Sequence, residues 1–173
     1  MILYYTGAVA YDLPQPEPDK SLGGYQSNSV VPNGRMNNLF PDDTYKDKNQ
    51  GSIINRALVI VNNSNNNVTD LSVAIDNPVI SQFKIEIALV TLVSPNFQVM
   101  EQIQNDDDQP YTGTFIEVNV DTPLSIGSIA ANAKLGIWIR KTLKAGISLS
   151  CSDIANTDMS SIIKKGFNLT LSW

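Results

Sequence analysis

The chain has no histidine, a single cysteine and few charges. Histidine is the commonest acid–base group near neutral pH and a frequent metal ligand. Its absence excludes Ser-His-Asp and Cys-His mechanisms and leaves only carboxylate-pair or lysine chemistry open. Cys151 stands alone, so an intrachain disulfide and a thiolate metal cluster are both excluded. In its Ser-rich surroundings it reads as a small, partly buried side chain. Charged residues make up 17% of the chain and the net charge is −5, with no basic block beyond pairs such as Arg140-Lys141 and Lys164-Lys165. A nucleic-acid surface as the main partner is therefore not expected. No apolar run approaches the ~20 residues of a membrane span. The first residues, Met1-Ile2-Leu3-Tyr4-Tyr5, lack the charged and apolar regions of a secretory signal. A soluble protein made in a cytoplasm is the expectation.

What is present is β-pattern. The 173 residues suit one domain with a substantial core. Ile2 to Tyr11 reads as a short strand. Ile54 to Val61 is almost continuously apolar and reads as a central strand. Period-two alternation marks Leu71–Asp76, Phe83 to Val93, Ile116–Val120, Leu135–Leu143 and Phe167–Trp173, with a weaker strand over Phe97–Ile103. Leu124–Ala133 reads as a connecting loop or a short helical turn. Gly136 predicts a bulge or close packing. The fold class is all-β, an antiparallel β-sandwich, immunoglobulin-like or jelly-roll, with an extended N-terminal arm. The expected boundary lies between residues 1–52 (strand, spacer and arm) and residues 53–173 (sandwich).

The arm is the anomaly. Leu13-Pro14-Gln15-Pro16-Glu17-Pro18 reads as a semi-rigid spacer. Ser21 to Phe40 then mixes breakers with large apolar side chains. Gly23-Gly24 allows a sharp turn and close approach to another backbone, and Pro32-Asn33-Gly34 is a tight-turn signal. The segment from Arg35 to Phe40 has room for one helical turn. The candidate interface residues are Leu22, Gly23, Gly24, Tyr25, Val31, Pro32, Asn33, Arg35, Asn38, Leu39 and Phe40. They are expected to bury themselves against a neighbouring subunit. On that reading, deleting residues 12–52 leaves a folded sandwich that no longer assembles.

Other candidates are weaker. Asp106-Asp107-Asp108 is dense enough to attract a hard cation, but it lacks the spacing of a calcium loop and reads as a solvated acidic loop. Glu86, Glu101, Glu117 and Asp121 would have to converge in a cleft to hydrolyse a glycoside, and Glu86 and Glu117 sit on polar strand faces. Trp138 and Trp173 could stack on sugars. Trp173 shares a face with Phe167, Leu169 and Leu171 and is expected in the core, whereas Trp138 is either buried in a two-sided strand or displayed at an interface. No phosphate loop or nucleotide fingerprint is present, and no cofactor is expected.

The stretch Ser21-Leu22-Gly23-Gly24-Tyr25 followed by Val31-Pro32-Asn33-Gly34-Arg35-Met36-Asn37-Asn38-Leu39-Phe40 resembles the N-terminal segment of small virion proteins of tailed bacteriophages, closest to the crAss-like group. Arg56-Ala57-Leu58-Val59-Ile60-Val61-Asn62 and Gly136-Ile137-Trp138-Ile139-Arg140-Lys141 share the likeness, which covers about half of the chain. The resemblance implies a non-enzymatic structural component located in the virion. Its partners would be other copies of itself and portal, ring, tail or capsid proteins, with no membrane and no nucleic acid as main partner. The implied place is a ring of the head-to-tail region or short tail. An auxiliary capsid or head-fibre-base protein, or a carbohydrate-binding or adhesive module, is the alternative.

Overall fold

The structure is a computed structural model that describes residues 1–32, 39–40, 49–76, 83–90, 98–146 and 168–172. In chain order it contains β1 (Ile2–Ala8), a 3-10 turn (Pro18–Lys20), β2 (Gly24–Val30), β3 (Ser52–Val61), β4 (Val68–Asp76), β5 (Phe83–Val90), β6 (Gln98–Met100), β7 (Ile116–Glu117), β8 (Leu124–Ile129), β9 (Lys134–Leu143) and β10 (Asn168–Ser172). They form two antiparallel sheets, one with strands in the order β6-β2-β1-β3-β9-β5-β7 and one with the order β10-β4-β8. The expected all-β sandwich is the observed fold, with seven strands facing three.

The middle of the large sheet is where the sequence is most apolar, because both of its faces are covered. β3 pairs with β9 in an unbroken register from Ser52–Leu143 to Val61–Lys134, and β9 pairs with β5 on its other side. Side chains alternate across a strand, so β3, β9 and β5 each contribute to two cores. Leu58, Ile60, Ile137, Ile139, Ile85 and Ile87 point inward, where they meet Leu71, Val73, Ile75 and Ile129 of the small sheet. Ala57, Val59, Ala88, Val90 and Trp138 point outward into a second core closed by Met100 and Ile103. Each large side chain buried this way contributes about 1.5–3 kcal/mol.

The second core explains the small residues around Trp138. The indole is fully buried, and its two cross-strand neighbours are Ala57 and Ala88. Two residues away on the same face, the buried Gly136 lies between Val59 and Val90 with no break in register, so there is no bulge at this glycine.

The division at residues 52/53 is not a seam. β1 pairs with β3 from Ile2–Val61 to Tyr5–Leu58, and β2 pairs with β1 on its outer side. Residues 1–30 thus supply two strands of the large sheet. The part of the arm expected to be irregular, Gly24–Val30, is itself a strand. It escaped the pattern because its buried positions include Gln26 and Ser27, polar residues that break apolar alternation. β8 escaped for a related reason: Gly127, at φ 82°, and two serines interrupt its apolar positions. The strand expected over Ile116–Val120 is only two residues long, although the Val118 amide still donates to the Ile85 carbonyl at 3.2 Å.

Candidate assembly surface

The arm enters the fold through Ser21. Beyond Tyr5 the β1–β3 ladder stops, and Ser21 occupies the gap. The Ala57 amide donates to the Ser21 carbonyl at 2.8 Å, and the Ser21 hydroxyl donates back to the Ala57 carbonyl at 2.5 Å. The same hydroxyl accepts the Thr6 amide at 2.9 Å. Thr6 Oγ1 donates to the Ala57 carbonyl and accepts the Gly23 amide. All of these groups are buried, where an unmade bond costs about 1–3 kcal/mol.

Gly23 meets the expectation of close backbone approach. A Cβ placed on it would lie 1.8 Å from the Glu101 carbonyl oxygen, and its φ of +87° already disfavours any side chain. Leu22 packs against the second core, and its carbonyl accepts the Ile103 amide at 3.0 Å. Gly24 and Tyr25 pair with Met100 and Gln98 of β6.

The proline segment is not a free spacer. The Asp12 amide donates to the Gln26 carbonyl, the Asn28 amide to the Leu13 carbonyl, and the Gln15 amide to Ser29 Oγ. Backbone groups of alternate strand residues point the same way, so Asp12–Gln15 lines the side of β2 that Gly24 presents to β6. Pro14 has no donor to offer outward, which suits it to the rim of a sheet.

Leu39 and Phe40 are buried in the chain's own inner core. Arg56 is buried beside them. Its Nε donates to the Leu39 carbonyl at 3.1 Å, Nη1 to the Asn55 carbonyl at 2.8 Å and Nη2 to Asp106 Oδ2 at 3.2 Å. Its guanidinium carbon lies 5.9 Å from the centre of the Phe40 ring. Burial pulls the Arg56 pKa below its ordinary value, and the hydrogen bond and charge of Asp106 oppose that shift. Arg56 was the missed residue of the sequence, and its signal is visible there: a charge inside the apolar run Ile53–Val61 needs a buried partner.

Of the expected interface residues, Leu22, Gly23, Gly24, Tyr25, Val31, Leu39 and Phe40 therefore contact the chain's own fold. Their burial cannot also be counted toward a neighbour. Tyr25 and Val31 are partly exposed and Pro32 is exposed. Asn33, Arg35 and Asn38 lie outside the described residues, as do the Asn33-Gly34 turn, Cys151, Phe167 and Trp173.

The acidic loop is tied down rather than free. Asp106 pairs with Arg56, and the Asp106 carbonyl accepts both the Asn55 backbone amide and Asn55 Nδ2. Asp108 Oδ2 accepts the Gln104 and Asn105 amides at 3.1 and 2.8 Å, and these bonds, led by the Asn105 amide, lower its pKa. Glu101 accepts the Tyr111 and Thr112 amides and the Thr112 hydroxyl, each at 2.9 Å. Glu86 and Glu117 do stand directly opposite each other on β5 and β7, but Glu86 is bonded to Lys84 at 3.0 Å. Among the described residues, no group of three or more carboxylate, histidine or cysteine side chains is placed to hold a metal. No helix of the described residues is long and apolar enough to cross a membrane. Trp138 is fully buried, so it offers no stacking surface. No protein-family model, no curated protein and no solved structure matches this chain.

Proposed function

We propose that the chain is a non-enzymatic structural component of a phage virion that acts by assembling with copies of itself and with other virion proteins, most simply as a ring in the head-to-tail or short-tail region. The resemblance of Ser21–Phe40 supplies the particle. The observation that carries the non-catalytic half is how the acidic groups are used. Asp106 holds Arg56, Asp108 closes its own loop and Glu101 fastens the Tyr111-Thr112 backbone. A general acid or base needs a group within reach of a substrate proton and poised to exchange it, and these carboxylates spend their lone pairs on the fold.

The carbohydrate-binding alternative is the poorer fit, because its main stacking residue, Trp138, is inaccessible. Mass spectrometry and copy counting on purified particles test the proposal. The expected result is this chain in the mature particle at the stoichiometry of a single ring. A capsid-like copy number would favour the auxiliary capsid role, and absence from the particle would sink the virion reading.

A further inference from the structure

The two sheets treat their edges differently. In the large sheet one edge strand, β7, has two residues and carries Glu117; the other, β6, has three residues. The rest of the outer side of β2 is taken by the proline segment. Short edges, charges and prolines are among the devices that keep a sheet from pairing with another chain. The small sheet has none of the three. Its edges, β8 (Leu-Ser-Ile-Gly-Ser-Ile) and β10 (Asn-Leu-Thr-Leu-Ser), are six and five residues long and contain no charge and no proline. β8 has register shifts against β4 in the stretch opposite Gly127, which bend it without charging it. Among the described residues, neither edge has a strand partner beyond β4.

We propose that β8 of one copy pairs with β10 of the next, joining small sheets edge to edge around a ring. Three observations select a second copy as the occupant. The two edges that are unpaired among the described residues lie on opposite sides of one sheet, so a single repeated rotation brings β8 to the next copy's β10. Their lengths, six and five residues, differ by one. Both run antiparallel to β4, hence parallel to each other, so the joint is a parallel ladder in which no like charges meet. A twofold β8–β8 dimer would leave β10 open, whereas the head-to-tail joint uses both edges and repeats until it closes. This inference deepens the assembly reading and rests on it.

The test uses the full-length chain. Ser128→Lys charges β8 and Ser172→Lys charges β10, both at exposed positions. Native mass spectrometry is run on the wild type, on each variant and on their mixture, with circular dichroism to verify folding and Ser125→Lys as a second β8 variant. The wild type is expected to form a closed oligomer and each variant alone to be monomeric. The mixture should give a one-to-one pair, because one variant keeps a working β10 and the other a working β8. Variants that retain the wild-type oligomer would overturn the edge joint and leave the assembly reading standing. A variant that dimerises alone would show a twofold contact instead. A wild type that stays monomeric at every concentration would overturn both.

Discussion

Ser21 holds both backbone groups of Ala57, its carbonyl accepting one and its hydroxyl donating to the other. A single residue thereby does the work of a strand neighbour at the point where β1 leaves β3. Ser21→Ala keeps the carbonyl contact but strands the buried Thr6 amide, and is expected to destabilise the protein by about 1–3 kcal/mol. Urea unfolding would measure it. Deleting residues 12–52 removes β2, this bridge and the Leu39-Phe40 plug together. Such a chain should fail to appear as soluble folded protein, the reverse of what a detachable arm would give.

Arg56 and Asp106 should respond unequally to mutation. Arg56 is almost fully buried and serves two backbone carbonyls besides Asp106, which is itself substantially exposed. Arg56→Ala leaves those carbonyls unpaired and hollows the core beside Phe40, so a loss of about 3–5 kcal/mol is expected. Asp106→Asn keeps a polar partner in a place that water reaches, and about 1 kcal/mol is expected. Equal losses in chemical denaturation would contradict the arrangement.

Asp108 gives a pH dependence with a definite sign. Its folded pKa lies below the ordinary carboxylate value of 3.8. Its contribution is therefore fully present above that value and disappears as pH falls through the lower folded pKa. Asp108→Asn should lower the denaturation midpoint at neutral pH, and the gap from wild type should close as the pH drops below about 4. A gap that stays constant down to strong acid would rule out the carboxylate as its cause.

Two glycines of similar φ separate strain from collision. At Gly127, φ is +82° and nothing lies within 4 Å of an added Cβ. Gly127→Ala should cost only the backbone term, about 1–2 kcal/mol. At Gly23 the added carbon would meet the Glu101 carbonyl, so Gly23→Ala has to push β2 away from the segment after β6 and should be far more damaging. Thermal melts of the two variants side by side would show it.

β3, β4, β5, β9 and β10 were legible in the sequence because their apolar positions keep period two or fill both faces. β2 was not, since a strand whose buried positions include Gln26 and Ser27 looks polar until its partners, Tyr5 and Thr6, are known. The apolarity of Leu39 and Phe40 correctly announced burial but could not say against what. That answer depends on Arg56, and so on a contact between segments far apart in the chain. The close approach at Gly23-Gly24 was legible from residue type alone.

The pairing of β3 with β9 has a consequence for how the protein comes into being. Ser52 must find Leu143 and Val61 must find Lys134, and contacts between such distant residues form slowly because a long loop has to close first. Until β9 arrives, the most apolar strand of the chain is sheltered on one side only, by β1. The interval between making β3 and making β9 is thus the period in which this chain is most exposed to misassociation. Synthesis at low temperature, or in the presence of a holding chaperone, should raise its soluble yield more than any change to the finished surface.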